Sequence, residues 1–297
     1  MAYNDLNCSE DRANTGLANC LENLGADVRL IWTTESFEFA SEADAKDITK
    51  WEAAINAKYM SPFPTFDEIE PNEEDDVETE TGLGVSKFVR EGKDGATGRF
   101  ELALCNLAKL RTYNKSLGRA FAITENGMVR GTSPDGVVFK GFKLSKFFTS
   151  KMKGSDGSTV RWVELKYQFK NSNELGDYPA VPALTWDPLE LAGIIDVDLS
   201  ISGTPTSGEL IVKVARDCDA EAVTGLVEAD FTLVNDESAT QLPATSFTDN
   251  GDGTFTFTFT DAAVLSADDY IVNLKSPSTQ TTGGYESSAE ATFTIGA

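Results

Sequence analysis

Short apolar runs closed off by turn residues recur through residues 196 to 297: Asp196 to Ile201, Glu209 to Ala215, Phe231 to Val234, Phe255 to Thr260, Tyr270 to Leu274 and Ala291 to Ile295. Segments this short, at this spacing, are strands rather than helices. Each must hide one face against a second sheet, so the stretch predicts a β-sandwich. Between two of the runs lies Asp249-Asn250-Gly251-Asp252-Gly253. Its carboxylates could suit calcium, but the D-x-D-x-D-G spacing and the bidentate acid at the twelfth position are missing. A hairpin turn is the other reading.

The first 195 residues mix both periods. Residues 1 to 26 lack periodicity and read as an arm punctuated by Gly16 and Gly25. Val28 to Thr33 predicts a strand and Ser36 to Ala40 a second extended piece. Ser41 and Asp44 have the form of a capping box, after which Ile48, Trp51, Ile55 and Tyr59 share one helical face. Pro62 and Pro64 then end the helix. Leu104, Leu107, Leu110 and Tyr113 predict a second helix. Glu125-Asn126-Gly127 predicts a hairpin turn, and Asp135-Gly136 another.

Val137 to Lys151 reads as one long strand that does not alternate cleanly. Val138, Phe142, Leu144 and Phe148 share a face with Lys140 and Lys146, whereas Phe139 and Phe147 share the other with Lys143 and Lys151. A strand apolar on both sides suggests cover from a neighbouring subunit. Val163, Leu165, Tyr167 and Phe169, by contrast, alternate strictly with Glu164, Lys166, Gln168 and Lys170. The expected fold class is therefore mainly β (α+β). Its parts are an arm (1–26), an assembly domain with helices on a sheet (27–170), a proline-stiffened linker or docking segment around Trp186 (171–195) and a sandwich (196–297).

Charge is distributed in blocks. Residues 1 to 86 hold 5 Lys or Arg against 20 Asp or Glu, and residues 87 to 170 hold 17 against 7. The remainder is acidic again, for a formal net charge of −23. Such blocks either steer copies of the chain onto one another or are simply solvated faces. From Asp67 to Glu80 nine of fourteen positions are acidic and none is basic, which predicts a solvated segment.

The chain contains no histidine. That excludes Ser-His-Asp and Cys-His nucleophile pairs and histidine zinc sites. Carboxylate-pair hydrolysis survives in principle, although no acidic pair stands out. Neither a G-x-x-x-x-G-K-[ST] loop nor a strand-helix G-x-G-x-x-G is present. Cys8, Cys20, Cys105 and Cys218 show no C-x-x-C pair, and a reducing compartment would leave them as thiols. No apolar run approaches the roughly 18 residues of a membrane span. The opening Met1-Ala2-Tyr3-Asn4-Asp5 lacks the features of a secretory signal, so a cytoplasmic site of folding is expected.

Two resemblances extend these readings. Asp217 through Val223-Thr224-Gly225-Leu226, Asp230-Phe231-Thr232-Leu233, Asp249 to Phe255 and Tyr270-Ile271-Val272 resemble bacterial immunoglobulin-like modules of the invasin and adhesin type. Gly16 to Cys20, Ile31 to Phe39, Val85 to Gly92, Ala122 to Gly131, Asp135 to Phe142 and Val163 to Asn173 are similar to tailed-phage virion proteins, in particular tail tube subunits. The resemblance implies a non-enzymatic protein made in a host bacterial cytoplasm and built into the virion tail, with no catalytic residue, cofactor or metal. Its copies would close into stacked, hexameric rings, touch other tail proteins such as the tape measure, and let DNA pass without specific binding and without a membrane. The immunoglobulin-like domain would project outward. Asp67, Glu68, Glu70, Glu73, Glu74, Asp75, Asp76, Glu78 and Glu80 are the candidate lining of the bore, since basic residues there would grip a duplex. Lys140, Phe142, Lys143, Lys146 and Phe148 are the candidate subunit interface. The alternative is a receptor-binding, glycan-binding or capsid-decorating virion protein.

Overall fold

A computed structural model describes residues 25–72, 74–80, 82, 86–102, 104–154, 160–206, 208–259, 269–287 and 289–294. Residues 1–24 of the arm, together with Cys8, Cys20 and Glu73, lie outside these residues. The protein is mainly β. It divides into two compact units, with the division between Ala192 and Gly193. Among the described residues no helix is long and apolar enough to cross a membrane.

The first unit begins with β1 (Asp27–Thr33), the short helices α1 (Glu42–Lys46) and α2 (Ile48–Asn56), and β2 (Met60–Pro62). There follow β3 (Glu68–Pro71), β4 (Val77–Glu80), β5 (Ser86–Arg90), β6 (Gly95–Phe100) and α3 (Leu104–Arg111). The unit closes with β7 (Arg119–Thr124), β8 (Val129–Thr132), β9 (Phe142–Thr149), β10 (Val163–Phe169), α4 (Ser172–Gly176) and β11 (Pro179–Ala180). Among the described residues nine strands form one sheet in the order β11-β8-β7-β9-β10-β6-β3, with β1 paired to β7 and β2, while β4 and β5 form a ribbon of their own.

Every residue of β7 is buried, which is why Arg119-Ala-Phe-Ala-Ile-Thr124 reads as a nearly unbroken apolar run. Its even positions, Ala120 and Ala122, join Leu30, Phe142 and Leu144 in one core. Its odd positions face α2, where the fully buried Trp51 meets Phe121 at 5.0 Å and Phe39 at 4.7 Å between ring centroids. The β7–β8 hairpin turns at Gly127, whose φ of 71° no β-branched residue would tolerate. At Gly98 a Cβ would sit 2.3 Å from Phe66, so the ring lies flat over bare backbone.

Four expectations are corrected. The helix expected from Ser41 onward breaks at Asp47, which ends α1 and whose carboxylate then caps α2 by accepting from Thr49 N. Ile48, the first residue of α2, and Tyr59, beyond its end, are exposed. Ser36 to Ala40 contributes only the bridge Phe39–Phe139. Val137 to Lys151 holds a strand over Phe142–Thr149 alone, and it contains a β-bulge: Gln168 opposes Lys146 and Phe169 opposes Leu144, leaving Ser145 unopposed. Ser145 Oγ donates to the carbonyl of Phe169 at 3.2 Å. The extra residue shifts the phase, so Phe142 and Leu144 point inward on one side of it and Phe147 and Thr149 on the other. The broken alternation thus has a cause within the chain.

Cysteine chemistry is the fourth correction, since Cys105 and Cys218 are each disulfide-bonded rather than thiols. The thiol expectation followed from an assumed compartment, and cysteine spacing carries no information on which sulfurs meet in space.

Residues 171–192 pack into the first unit. Trp186 lies edge-on to Trp51 at 5.6 Å, and its indole N–H donates to the carbonyl of Lys46. Arg29, 9% exposed, donates to the carbonyls of Phe63 (2.7 Å), Pro188 (3.4 Å), Leu189 (2.7 Å) and Leu191 (2.9 Å). Glu174 accepts from the Arg119 guanidinium at 2.7 Å and from the backbone N–H of Lys143 at 2.7 Å. A lysine cannot reproduce the planar fork that reaches several carbonyls at once. Arg29→Lys is expected to lower stability by about 1–2 kcal/mol, read as a lower urea midpoint by tryptophan fluorescence.

The second unit is a two-sheet sandwich. Its strands are β12 (Ile195–Ile201), β13 (Glu209–Arg216), β14 (Phe231–Asn235), β15 (Ser246–Asp249), β16 (Thr254–Thr258), β17 (Asp269–Leu274), β18 (Tyr285–Ser287) and β19 (Ala291–Thr294). One sheet runs β15-β16-β13-β12-β18 and the other β14-β17-β19. With β12 to β17 and β19 taken as A to G, the sheets read D-E-B-A and C-F-G, the order of a constant-type immunoglobulin sandwich. Val197, Leu210, Val212, Val214, Phe255 and Phe257 meet Phe231, Leu233, Tyr270 and Val272 in a single core. β15 and β18 are additions to the six expected strands. Both are short and only partly buried, which weakens the apolar signal that sequence periodicity depends on.

Candidate functional site

Two exposed surfaces of the first unit carry the residues that the sequence singled out. One is the ribbon. Register places Glu78 opposite Phe88, Thr79 opposite Lys87 and Glu80 opposite Ser86, so Glu78, Phe88 and Glu80 share one face. All five residues of β5 are exposed, Phe88 at 59% and Val89 at 56%. Ser86 Oγ donates to Glu78 at 2.6 Å, which ties the two strands on that face.

The other surface is the outer face of β9, β10, β6 and β3. Lys166 lies directly opposite Phe148 on β9 and Thr97 on β6, and Glu164 lies opposite Arg99. Lys166, Thr97, Glu164 and Arg99, together with Lys146, Lys153 and Gln168, line a groove of about 510 Å³, and Phe148 lies outside its lining. At its floor sits Glu164, 4% exposed, beside Lys153, with Arg99 at 3.6 Å and Lys166 at 3.6 Å. Strict alternation had placed Glu164 in water. Burial alone would raise its pKa, but the Lys153 and Lys166 ammonium groups outweigh that and hold the carboxyl below its ordinary value.

The acidic stretch is exposed as expected but not bare. Asp67 accepts from the backbone N–H of Glu101 at 3.0 Å and Asp76 from that of Gly92 at 2.7 Å. Glu68 pairs with Arg99 at 2.7 Å, and Glu70 lies 3.8 Å from the same guanidinium. Glu74 accepts from Gln168 at 2.9 Å, and that hydrogen bond is the main cause of its lowered pKa. Asp75, Glu78 and Glu80 complete the described part of the stretch and are exposed.

The candidate interface residues separate. Phe142 is corrected: it is 1% exposed and packs into the core of its own chain, because the bulge at Ser145 sets its half of β9 to face inward. Lys140 lies 3.8 Å from Glu38, and Lys143 pairs with Glu35, whose pKa is lowered chiefly by that hydrogen bond. Lys146 and Phe148 face out, Phe148 at 43% exposure. Among the described residues Lys146 has no ion-pair partner.

In the second unit the Asp249 to Gly253 segment uses its carboxylates on its own backbone. Asp249 accepts from Gly225 N and Gly251 N, and Asp252 from Thr254 N and Oγ1. The turn thus uses both oxygens of Asp249 and Oδ1 of Asp252 in its own hydrogen bonds.

No protein-family model matches the chain, and no curated protein matches it in sequence. The functional reading therefore stands on the two surfaces. Sequence reasoning missed the groove-forming residues Arg99, Lys153 and Lys166. The strict alternation of β10 carried a signal for Lys166, since it put that residue on the outer face beside whatever pairs with β10.

Proposed function

We propose that the chain is a structural subunit that assembles with copies of itself, in the manner of a tailed-phage tail tube protein, and that contact between copies is its task rather than catalysis. The ribbon β4–β5 carries this reading. Two strands on their own are marginal in water. This pair is nonetheless formed, with an aromatic ring and a valine of β5 held in solvent. Exposed apolar surface on a ribbon without a core is what an interface strand looks like before its partner arrives.

The remaining features support the tube form of the reading. Asp75 and Asp76 are exposed acids that would repel a passing duplex instead of holding it. The second unit carries 17 acidic and 3 basic residues over 196 to 297, so such units resist packing on one another and suit an outward position.

Negative-stain images of the concentrated full chain test the proposal. Rings or tubes are expected, and the double variant Phe88→Asp, Val89→Asp is expected to stay dispersed with an unchanged melting temperature. A chain that remains monomeric at every concentration, with or without a preformed assembly as seed, would end the reading.

A further inference from the structure

The ribbon and the groove face share a design with opposite sign. On the ribbon, Phe88 stands directly opposite Glu78 and diagonal to Glu80 on one face. On the sheet, Phe148 stands beside Lys146, two residues before it on the same strand, and directly opposite Lys166. Both rings are exposed, and Lys146 has no carboxylate of its own among the described residues.

We infer that the occupant of the β9–β10 outer face is the β4–β5 ribbon of a second copy, with Phe88 packing on Phe148 and Glu78 and Glu80 pairing with Lys146 and Lys166. This inference rests on self-assembly as proposed above and names its contact. An aromatic pair with flanking charges of opposite sign joins apolar burial to electrostatic complementarity, and the charges fix the register. The two surfaces are different parts of the chain. The contact is therefore heterologous, and its repetition generates a closed ring or an open stack. Glu164 helps by sitting low in the groove, where it holds Lys153 and Lys166 in place without reaching the outer surface.

Charge reversal in the full chain tests the pairing, with assembly read by sedimentation and negative-stain images. Lys146→Glu with Lys166→Glu gives a chain acidic on both surfaces, and Glu78→Lys with Glu80→Lys a chain basic on both. Each alone is expected to need a protein concentration at least about a hundredfold higher to assemble, because like charges now face each other. An equal mixture of the two is expected to assemble near the wild-type concentration as an alternating polymer, since every ribbon again meets a sheet of opposite sign. So is the fourfold variant, which carries both reversals in one chain.

Near-ultraviolet circular dichroism identical to wild type establishes that the variants fold, and the fourfold variant and the mixture make misfolding visible as failure to rescue. If wild type assembles and either double variant assembles equally well, or if neither rescue works, this pairing is wrong while self-assembly stands. If wild type itself never assembles, the proposed function falls and takes the pairing with it.

Discussion

Trp51→Ala is expected to destabilise the first unit by about 4 kcal/mol. The indole is fully buried, and it joins three layers at once. Its ring meets Phe121 from β7, Phe39 from the bridged segment after β1 and Trp186 from the segment before the second unit. Its N–H donates to the carbonyl of Ala45 at 2.9 Å, which holds the α1–α2 break in place. Truncation removes the apolar contact and leaves a cavity among rings that cannot move inward, because β7 is pinned on both edges. All four tryptophans of the chain, Trp32, Trp51, Trp162 and Trp186, precede Ala192. Urea unfolding followed by tryptophan fluorescence therefore reports the first unit, and a loss below about 1.5 kcal/mol would show that the site collapses far more readily than its packing implies.

Asp230→Ala is expected to cost the second unit about 3 kcal/mol. The carboxylate is fully buried and is the acceptor for four backbone groups or hydroxyls from two loops. Oδ2 accepts from Val227 N at 3.0 Å, while Oδ1 accepts from Thr281 N at 2.7 Å, Thr282 N at 3.0 Å and Thr281 Oγ1 at 2.8 Å. Alanine leaves these donors in a dry site. Burial alone would raise the pKa, but the hydrogen bonds from Thr282, Val227 and Thr281 outweigh it and hold the carboxyl below its ordinary 3.8. The folded state thus binds this proton less readily than the unfolded chain does. The stabilisation is present in full above the ordinary carboxyl pKa and is lost as pH falls through the folded value. Wild type should lose stability toward acid more steeply than the variant. Amide exchange at Thr281 and Thr282, fast in the variant and slow in wild type at neutral pH, is the direct measurement.

The sequence was most legible where one local rule decided the structure. Alternation placed Val163, Leu165, Tyr167 and Phe169 inward, and the Asn126-Gly127 pair set the hairpin between β7 and β8. The sandwich followed from its strand rhythm for the same reason. Legibility failed where two rules competed for a residue. Asp47 had to be read as polar surface or as a cap, and nothing in a helical count of Ile48, Trp51, Ile55 and Tyr59 shows that it serves two helices. At Ser145 the sequence shows a broken pattern, which covering by a neighbour and a bulge explain equally well until the opposing strand is known.

The charge blocks were legible as composition but not as contacts. The sheet brings Arg99 of the basic block beside Glu68 and Glu70 of the acidic one, so part of the opposition is settled within one molecule. Exposed pairs of this kind contribute little to stability, about 0–1 kcal/mol each. Their effect is to subtract from the charge left over for neighbours, and Lys146, Glu78 and Glu80 are among the charges that keep no ion-pair partner among the described residues.

Ser145 has one more effect. An uninterrupted strand locks the surface it shows to water to the one it buries, because every second side chain belongs to the interior. The odd residue in β9 uncouples them: the half before it and the half after it keep separate rhythms. Relocating the bulge past Phe148 would exchange Lys146 and Phe148 for Phe147 on the outside without touching a helix, a turn or the chain's hydrophobic content, whereas deleting Ser145 would leave both facing out. A lineage carrying this fold could change whom it recognises by moving the bulge along one strand, a smaller evolutionary step than rebuilding a patch one substitution at a time.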